Sequence, residues 1–596
     1  MKLTGFAKSF ITVVVLAVVG YVVYHYRATL IPAAGFKGSL VPSKVDLPSA
    51  PEGTAGGAEF KSPGSRPGCA DAPEVRFNVW AWNAQMGMMA ANGGKQATDG
   101  SLMCSEKVNL RLIREDDSNK MQENLVAFAV ALKNGESNPK AGVHFVAVMG
   151  DGGAQFLKGL NDVLEKKLGS QYKAKIIGSC GYSRGEDKFM GPPEWKSNPL
   201  SSRGGVVAGV LRDGDWNIAQ KWLGDNGLRN NPDEKTWDPD ALNWVAADSY
   251  VDAAKKYVEG WSDERIVIRN GKPTGEKKRV AVNGVVTWTP GDVTVAHQKG
   301  GLVGIVSTRE YSSQMPNVII GIDKWMLENR STVEGMLKAI LKGGDAVKSN
   351  HQALELAAKV SAEVYNEESA AYWLKYFNPV TEQDKKGLTV SLGGSYVDNL
   401  GDNMLLFGLT PGSSDLLAAT YSKFGDVVVQ QYHDLVPSYP PIDSVRDVSY
   451  LRNIAGTVQP SSIEAEKPKY ERQIGQAKSV IGRRSWNIQF DSGRATFTPS
   501  AQQTLEDLAR ELLVAGGANI EVHGHTDSLG NPDKNQQLSE ERAFAVKEWL
   551  NQKSSVNFPS ERISVHAHGA ADPVAPNSTE AGRAKNRRVE IVLTTQ

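Results

Sequence analysis

Gly524-His525-Thr526-Asp527, followed by Asn535-Gln536-Gln537-Leu538-Ser539-Glu540-Glu541-Arg542-Ala543, sets one carboxylate and one guanidinium at fixed spacing around a helix start. Ile520 and Val522 alternate with polar residues, so the stretch before the HTD triplet reads as a short strand, and Asp527 opens the loop after it. Ser539 reads as the helix N-cap, with Glu540 and Glu541 in the first turn where the helix dipole favours negative charge. Arg542 then falls one turn in, close to the loop. Nearer the C-terminus, Gly582-Arg583-Ala584-Lys585-Asn586-Arg587-Arg588-Val589-Glu590-Ile591 is a basic run passing into a last strand.

Together with Asn577 and Thr579, these stretches resemble the OmpA-like peptidoglycan-binding domain, whose pattern runs HTD, NxxLSxxRA and NxTxxGRxxNRRVE. The resemblance implies that Asp527 and Arg542 hold the diaminopimelate of a cell-wall stem peptide. It adds Thr526, Asn535, Asn586 and Arg587 to the same site. The chemistry is coherent: a zwitterionic amino-acid head needs a carboxylate for its ammonium and a forked donor for its carboxylate. Where the family usually has a tyrosine before a glycine, this chain has His568-Gly569. Taken alone, Asp527 and Arg542 would read as a surface salt bridge; the three linked motifs favour the binding site.

Around that core, residues 481–596 predict an α+β sandwich. Its expected elements are a strand Trp486–Phe490, a helix begun by Thr498-Pro499, a strand 519–524, a helix 539–552 and strands 562–568 and 588–594. Residues 457–480 are polar, with Pro460 and Pro468, and read as a linker. From 73 to 456, short apolar strands alternate with amphipathic helices such as Ser118–Leu132 and Ala154–Leu168, which predicts an α/β domain with parallel sheets. A second strand-rich set at 264–322 implies two lobes around a cleft. This order resembles the periplasmic solute-binding proteins of the phosphate and sulfonate type. The resemblance carries over no ligand identity; the two lobes and the polar loop ends Trp82-Asn83 and Ser183-Arg184 are the grounds for expecting a small, anionic solute between the lobes. Arg184 would supply the charge, Ser183 and Asn83 neutral hydrogen bonds, and Trp82 a wall, beyond the carboxyl ends of strands.

The chain has 596 residues, with 67 basic and 67 acidic side chains. That balance gives no electrostatic case for nucleic acid, and nothing in the sequence asks for a cofactor. Residues 9–26 (SFITVVVLAVVGYVVYHY) are apolar over a length that just spans a bilayer at about 1.5 Å per residue. Lys2 and Lys8 precede the run, so it reads as an uncleaved inner-membrane anchor with residues 1–8 in the cytoplasm and the bulk in the periplasm; a cleaved signal peptide is the alternative. Residues 27–72, rich in Pro, Gly and Ser, read as a tether. Cys69, Cys104 and Cys180 match no zinc spacing; Cys69 could pair with Cys104, or all three could be separate thiols.

Two further patterns compete for chemistry. Gly181-Tyr182-Ser183-Arg184-Gly185 fits the G-x-S-x-G of serine hydrolases, but Gly191-Pro192-Pro193 follows where the elbow needs a helix. A non-enzymatic binding role is the expectation, with a ligand sensor or transport accessory as the alternative. His523-Gly524-His525 and His566-Ala567-His568 form two H-x-H pairs on neighbouring strands, a spacing too weak by itself to predict zinc or copper, so no metal is expected. Trp288 reads as core packing, and Asp215 as a helix N-cap.

Overall fold

The middle region is organised by strands apolar on both sides, as buried parallel sheets require. Glu74–Val79 is buried over five of its six residues, and Phe145–Met149 over all five. The computed structural model describes residues 60–457, 470 and 480–594. The expected membrane segment 9–26, the tether up to residue 59 and nearly all of the 457–480 linker lie outside the described residues. Among those described, no helix is long and apolar enough to cross a membrane. Residues 60–72, assigned by composition to the tether, pack on the middle domain instead: Gly64 N and Gly68 N donate to Asp99 O and Ala97 O at 2.7 and 2.8 Å. A Cys69–Cys104 disulfide staples them there, leaving Cys180 a buried thiol.

The first sheet runs in the order Ser395–Val397, Ala174–Ser183, Pro316–Ile322, Phe145–Met149, Glu74–Val79, Asn109–Arg114. Glu74–Val79 is parallel to both neighbours, whereas Pro316–Ile322 is antiparallel to Phe145–Met149 and to Ala174–Ser183. The second sheet runs Val303–Ser307, Lys188–Gly191, Gly284–Thr287, Val206–Gly209, Ala241–Ala246, Arg229–Asn230. The expected helices form at Ser118–Lys133 and Gly153–Leu168. The helix Gly214–Asp225 is capped by Asp213, whose side chain accepts from Gly214 N, and not by Asp215, which sits inside its first turn. Trp288 is core, its ring centroid 4.0 Å from that of Tyr250.

The chain leaves the first sheet after Ser183 and returns to it at Pro316, so segments 184–187 and 308–315 are the two crossovers between lobes. They are tied to each other. Ser183 Oγ lies 2.6 Å from Thr308 Oγ1 and accepts from Asp187 N at 3.0 Å, while Thr308 N donates to Asp187 O at 3.0 Å. The two glycines of the G-x-S-x-G motif answer to this geometry. A Cβ on Gly181 would collide with the carbonyls of Tyr396 and Ala84, and Gly185 has φ +115°.

The C-terminal domain is a four-stranded sheet in the order Val480–Trp486, Val589–Thr594, Asn519–Gly524, Ile563–Ala567. Its first strand falls earlier than the expected Trp486–Phe490, because residues 491–498 turn back so that Phe490 bridges Phe497. Leu505, Leu508 and Leu512 of the helix Ala501–Val514, with Val546 and Leu550 of Pro532–Lys553, are buried along with Ile520, Val522, Ile591 and Leu593. The alternate residues Glu521, His523 and Glu590 share the other face with His566, since His523 is in register with both His566 and Glu590. This domain docks on the middle one through Ala501–Val514, which packs on the helix Leu416–Gln431. Gly516 and Gly517 meet the second crossover, where an added Cβ would crowd Ser312, Ser313 and Glu310.

Candidate functional site

The HTD triplet sits at the C-terminal end of Asn519–Gly524. Gly524 is there because the backbone of the long helix passes against it: a Cβ would run into Ser539 O. The loop is then pinned by three backbone bonds, His525 N to Arg588 O (3.0 Å), Thr526 N to Gly569 O (2.8 Å) and His568 N to Gly524 O (3.0 Å). Gly569 has φ +51°, left-handed backbone that suits the glycine of His568-Gly569.

The helix carrying Arg542 begins earlier than the sequence reading placed it. It spans Pro532–Lys553, with Asn531 as the N-cap accepting from Asp533 N and Lys534 N and Pro532 in the first turn. Ser539 is an interior residue whose hydroxyl donates to Gln536 O (2.7 Å) and accepts from Gly569 N (2.9 Å), locking helix to loop. Asn535 and Arg542 are seven residues apart and so lie on one face.

Asp527 and Arg542 do not pair with each other among the described residues. Asp527 Oδ2 accepts from Arg587 Nη1 at 2.6 Å and Oδ1 from Leu529 N at 3.0 Å, which leaves carboxylate lone pairs for a further donor. Arg542 is 7% exposed; its Nε donates to Arg494 O at 3.0 Å, and its guanidinium lies 5.0 Å from the Phe490 ring centroid. Its Nη1 has no partner among the described residues. Burial, and then Arg587 nearby, lower the Arg542 pKa against the opposing pull of Asp527, so a second anion here is favoured.

The other expected residues divide by role. Asn535 Nδ2 donates to Asp527 O (3.2 Å) and Leu529 O (2.9 Å) and so shapes the loop. Asn586, fully buried, accepts from Val574 N and Ala575 N and donates to Asn577 Oδ1, which in turn accepts from Ser528 N. Arg587 bridges Asp527 and Glu580, at 2.6 and 2.7 Å. Thr526 Oγ1 and both ring nitrogens of His525 are buried with no partner among the described residues. Burial, with Arg588 beside it, pushes the His525 imidazole down to about 4.

In the middle domain the four expected solute contacts come from two neighbouring segments, since a Cβ on Gly181 would meet Ala84 O. Trp82 and Asn83 follow the first strand, fully buried, with Trp82 Nε1 and Asn83 Oδ1 unpartnered and Asn83 Nδ2 donating to Trp373 O at 3.3 Å. Ser183 is the crossover residue described above, and its hydroxyl bonds Thr308 Oγ1 and the amide of Asp187. Arg184 stacks 4.2 Å from the Tyr182 ring centroid and lines a pocket shared with Leu513, Asn557 and Arg562 of the C-terminal domain.

Sequence reasoning missed the buried acids around the crossovers, since single carboxylates scattered from 151 to 398 carry no motif. Burial pushes Asp187 up to about 6 against the hydrogen bonds of Ser183 and Asp215, and burial together with the neighbouring Asp187 pushes Asp215 well up. Asp151 accepts from Gln314 Nε2 (2.9 Å) and Asn217 Nδ2 (3.2 Å), yet burial raises it to about 7. Its folded pKa lies above the unfolded one, so its contribution to stability is full at pH about 4 and is lost as the pH rises through about 7. The span is worth on the order of 4 kcal/mol. Asp151→Asn is therefore expected to flatten the fall in melting temperature between mildly acidic and mildly alkaline buffer; an unchanged profile would refute the assignment.

The fold is a two-lobed α/β domain joined to an α+β domain, whose HTD loop brings Asp527 and Arg587 together beside the buried Arg542. Residues 489–587 match the model of the OmpA family. The probable lipoprotein YiaD of Escherichia coli is 40% identical over 107 residues, 18% of this chain and 48% of YiaD. The peptidoglycan-binding protein ArfA of Mycobacterium tuberculosis is 34% identical over 106 residues, 18% of this chain and 32% of ArfA. The chain thus spans half or less of the length of these relatives. Among solved structures, the periplasmic nitrate-binding protein NrtA of Synechocystis aligns over 66% of this chain and 92% of its own, with 9% identity and a TM-score of 0.38. The periplasmic aliphatic sulphonate binding protein SsuA of Escherichia coli aligns over 68% and 98%, with 11% identity and a TM-score of 0.37.

Proposed function

We propose that the chain is a cell-envelope protein that holds peptidoglycan non-covalently through Asp527 and Arg542 and presents a solute-binding domain beside the wall. The observation that carries it is the pair of buried charges at one loop mouth: an aspartate with lone pairs to spare, and an arginine that donates through Nε to Arg494 O and through Nη2 to Asp491 O and whose Nη1 has no partner among the described residues. The stem-peptide diaminopimelate offers the matching ammonium and carboxylate, and ArfA, similar over this domain, bears the peptidoglycan-binding name. Co-sedimentation of the full chain with insoluble peptidoglycan tests this, with the folded double variant Asp527→Ala, Arg542→Ala as the comparison.

Residues 9–26 anchor the N-terminus in the inner membrane and leave the rest in the periplasm. An N-terminal tag that stayed with the membrane after the wall was digested by lysozyme would support this; a tag lost on export would mean a cleaved leader.

The middle domain takes a small solute between its lobes. The support is the double crossover between the lobes, together with Trp82 Nε1 and Asn83 Oδ1, which have no partner among the described residues and lie just beyond the carboxyl end of the strand Glu74–Val79, the place where open α/β sheets take ligands. A solute at about 100 times its Kd should stabilise the domain by about 2.7 kcal/mol. Phosphate, sulfate, sulfonates and carboxylates are the first to screen by melting temperature, and Asn83→Ala should erase any shift found. Stability unmoved by all of them would favour a spacer role.

A further inference from the structure

We propose that the cavity between the middle and C-terminal domains binds a small aliphatic α-amino acid as its zwitterion, with Arg184 taking the carboxylate and Asp398 the ammonium. The cavity has a volume of about 70 Å³, and Leu405, Leu416 and Leu513 form apolar parts of its wall. At about 10–15 Å³ of enclosed volume per water, that is room for roughly five waters. Two guanidinium groups and two carboxylates of the described residues also line it, those of Arg184, Arg562, Asp398 and Asp402. One of each is already engaged. Arg562 donates to Ala518 O (2.8 Å), Asn557 O (2.7 Å), Leu512 O (3.0 Å) and Ala515 O (2.7 Å). Asp402 pairs with Lys348 and accepts from Asn399 N at 2.9 Å.

The other two are not. The Arg184 guanidinium lies 4.2 Å from the Tyr182 ring centroid and 5.5 Å from that of Tyr396, so aromatic contact holds it in place, and its Nη1 is buried with no partner among the described residues. Asp398 is fully buried, and neither carboxylate oxygen has a hydrogen-bond partner among the described residues. Burial and the neighbouring Asp402 push its carboxyl up to about 7, against Ser179, Lys348 and Arg184. Lys348 is committed to Asp402 and to Tyr396 OH (2.7 Å), and Ser179 Oγ donates to Gly181 O (3.2 Å). A buried charge costs free energy until an opposite charge meets it. A molecule that carries both signs on adjacent atoms of one short skeleton answers both groups, whereas a simple cation or anion answers one. A proton on Asp398 would neutralise the carboxylate and leave the guanidinium as it is. The leucine walls then favour an aliphatic side chain over a polar one.

This cavity lies away from the cleft at Trp82-Asn83. Successive strand residues face opposite ways. A Cβ on Gly181 would meet Ala84 O and Ser183 Oγ meets Thr308, whereas Tyr182 and Arg184 stack together on the other side, where the C-terminal domain supplies Leu513 and Arg562. The site uses none of the groups assigned to the wall peptide, nor Trp82 or Asn83, so the readings fail separately.

Calorimetric titration of the full chain with L-alanine is expected to show one molecule bound per chain. Propionate lacks the ammonium and ethylamine the carboxylate, so each should bind at least about 30-fold more weakly, a comparison that needs no variant. Arg184→Gln and Asp398→Asn, with unchanged circular dichroism, should each lose the uptake of L-alanine. No uptake by the unaltered chain, which would mean that water and a proton on Asp398 suffice, overturns the proposal. So does propionate or ethylamine binding as tightly as L-alanine. Uptake that survives both Arg184→Gln and Asp398→Asn but is lost in Asn83→Ala would put the amino acid in the cleft between the lobes and overturn it as well.

Discussion

Asp527→Ala and Arg542→Ala are each expected to leave the protein in the supernatant under conditions in which the unaltered chain pellets with peptidoglycan. Truncating one side of a buried, charge-assisted contact costs about 2–5 kcal/mol, because the ligand's opposite charge is then desolvated without a partner. That range is a weakening of about 30-fold to several thousandfold. The two variants differ in what they leave behind. Without Asp527, Arg587 loses its 2.6 Å partner and two guanidinium groups face the same mouth, so a ligand carboxylate is still attracted while its ammonium is repelled. Without Arg542 the loop carbonyl of Arg494 loses its donor, and part of the loss is disorder of the site wall. Arg542→Lys should not restore binding, since an ammonium cannot hold that carbonyl and also offer a fork to the ligand. Asp527→Asn, which keeps an oxygen for Leu529 N, separates charge from shape: it should bind as poorly as Asp527→Ala if the ammonium contact is what matters. A correctly folded double variant that still pelleted in full would end the wall-binding reading.

The site was legible where function fixes residue type and spacing within a short stretch. Asp527 opens the loop after the strand Asn519–Gly524, as read, and Ser539 O leaves no room for a Cβ on Gly524, but Arg542 lies about three turns into its helix and not one. Boundaries were less legible. Ser539 looked like a cap because serine before two glutamates is a common helix start, but Asn531-Pro532 is a stronger one and the helix begins there. In the middle domain, local periodicity gave elements such as Glu74–Val79, Asn109–Arg114, Ser118–Lys133 and Gly153–Leu168 to within a few residues, but left the strands Lys188–Gly191, Val206–Gly209 and Ala241–Ala246 unread. It could not give Ser183 its place, since the partner that defines it, Thr308, lies 125 residues away. Arg184 was likewise read from its neighbours in sequence as a ligand of the cleft, and periodicity could not show that it stacks on Tyr182 and lines a pocket shared with the C-terminal domain. What a residue faces across a fold is a tertiary fact, and one sequence carries it only where a motif has recorded it.

Glu511→Gln is expected to loosen the C-terminal domain from the two lobes. Glu511 lies on the docking helix and is 6% exposed. It pairs with Lys423 of the helix Leu416–Gln431, and its Oε2 is 3.5 Å from Lys221 Nζ in the second lobe. Lys221 in turn lies 3.6 Å from Asp225, and Asp225 accepts from Tyr311 OH at 2.7 Å in the second crossover. One carboxylate thus links both parts of the middle domain to the C-terminal domain. Burial by itself would raise the Glu511 pKa, but Lys423, Lys221 and Arg484 overcome it and hold the group at about 2. The folded pKa is depressed, so this stabilisation is present above pH about 4.5 and is lost as the pH falls through about 2. Removing the charge at neutral pH leaves two largely buried ammonium groups without it, a cost of about 3–5 kcal/mol, toward the lower end because Lys221 keeps Asp225. Glu506→Gln, which breaks an exposed pair with Lys553 within the same domain, should cost less than about 1 kcal/mol. In calorimetry the unaltered chain and Glu506→Gln should then melt with the domains coupled, and Glu511→Gln with the C-terminal transition split off and insensitive to acid. A Glu511→Gln protein whose domains still melted together at the original temperature would show that apolar packing of Ala501–Val514 on Leu416–Gln431 holds the docking, with the charge cluster incidental.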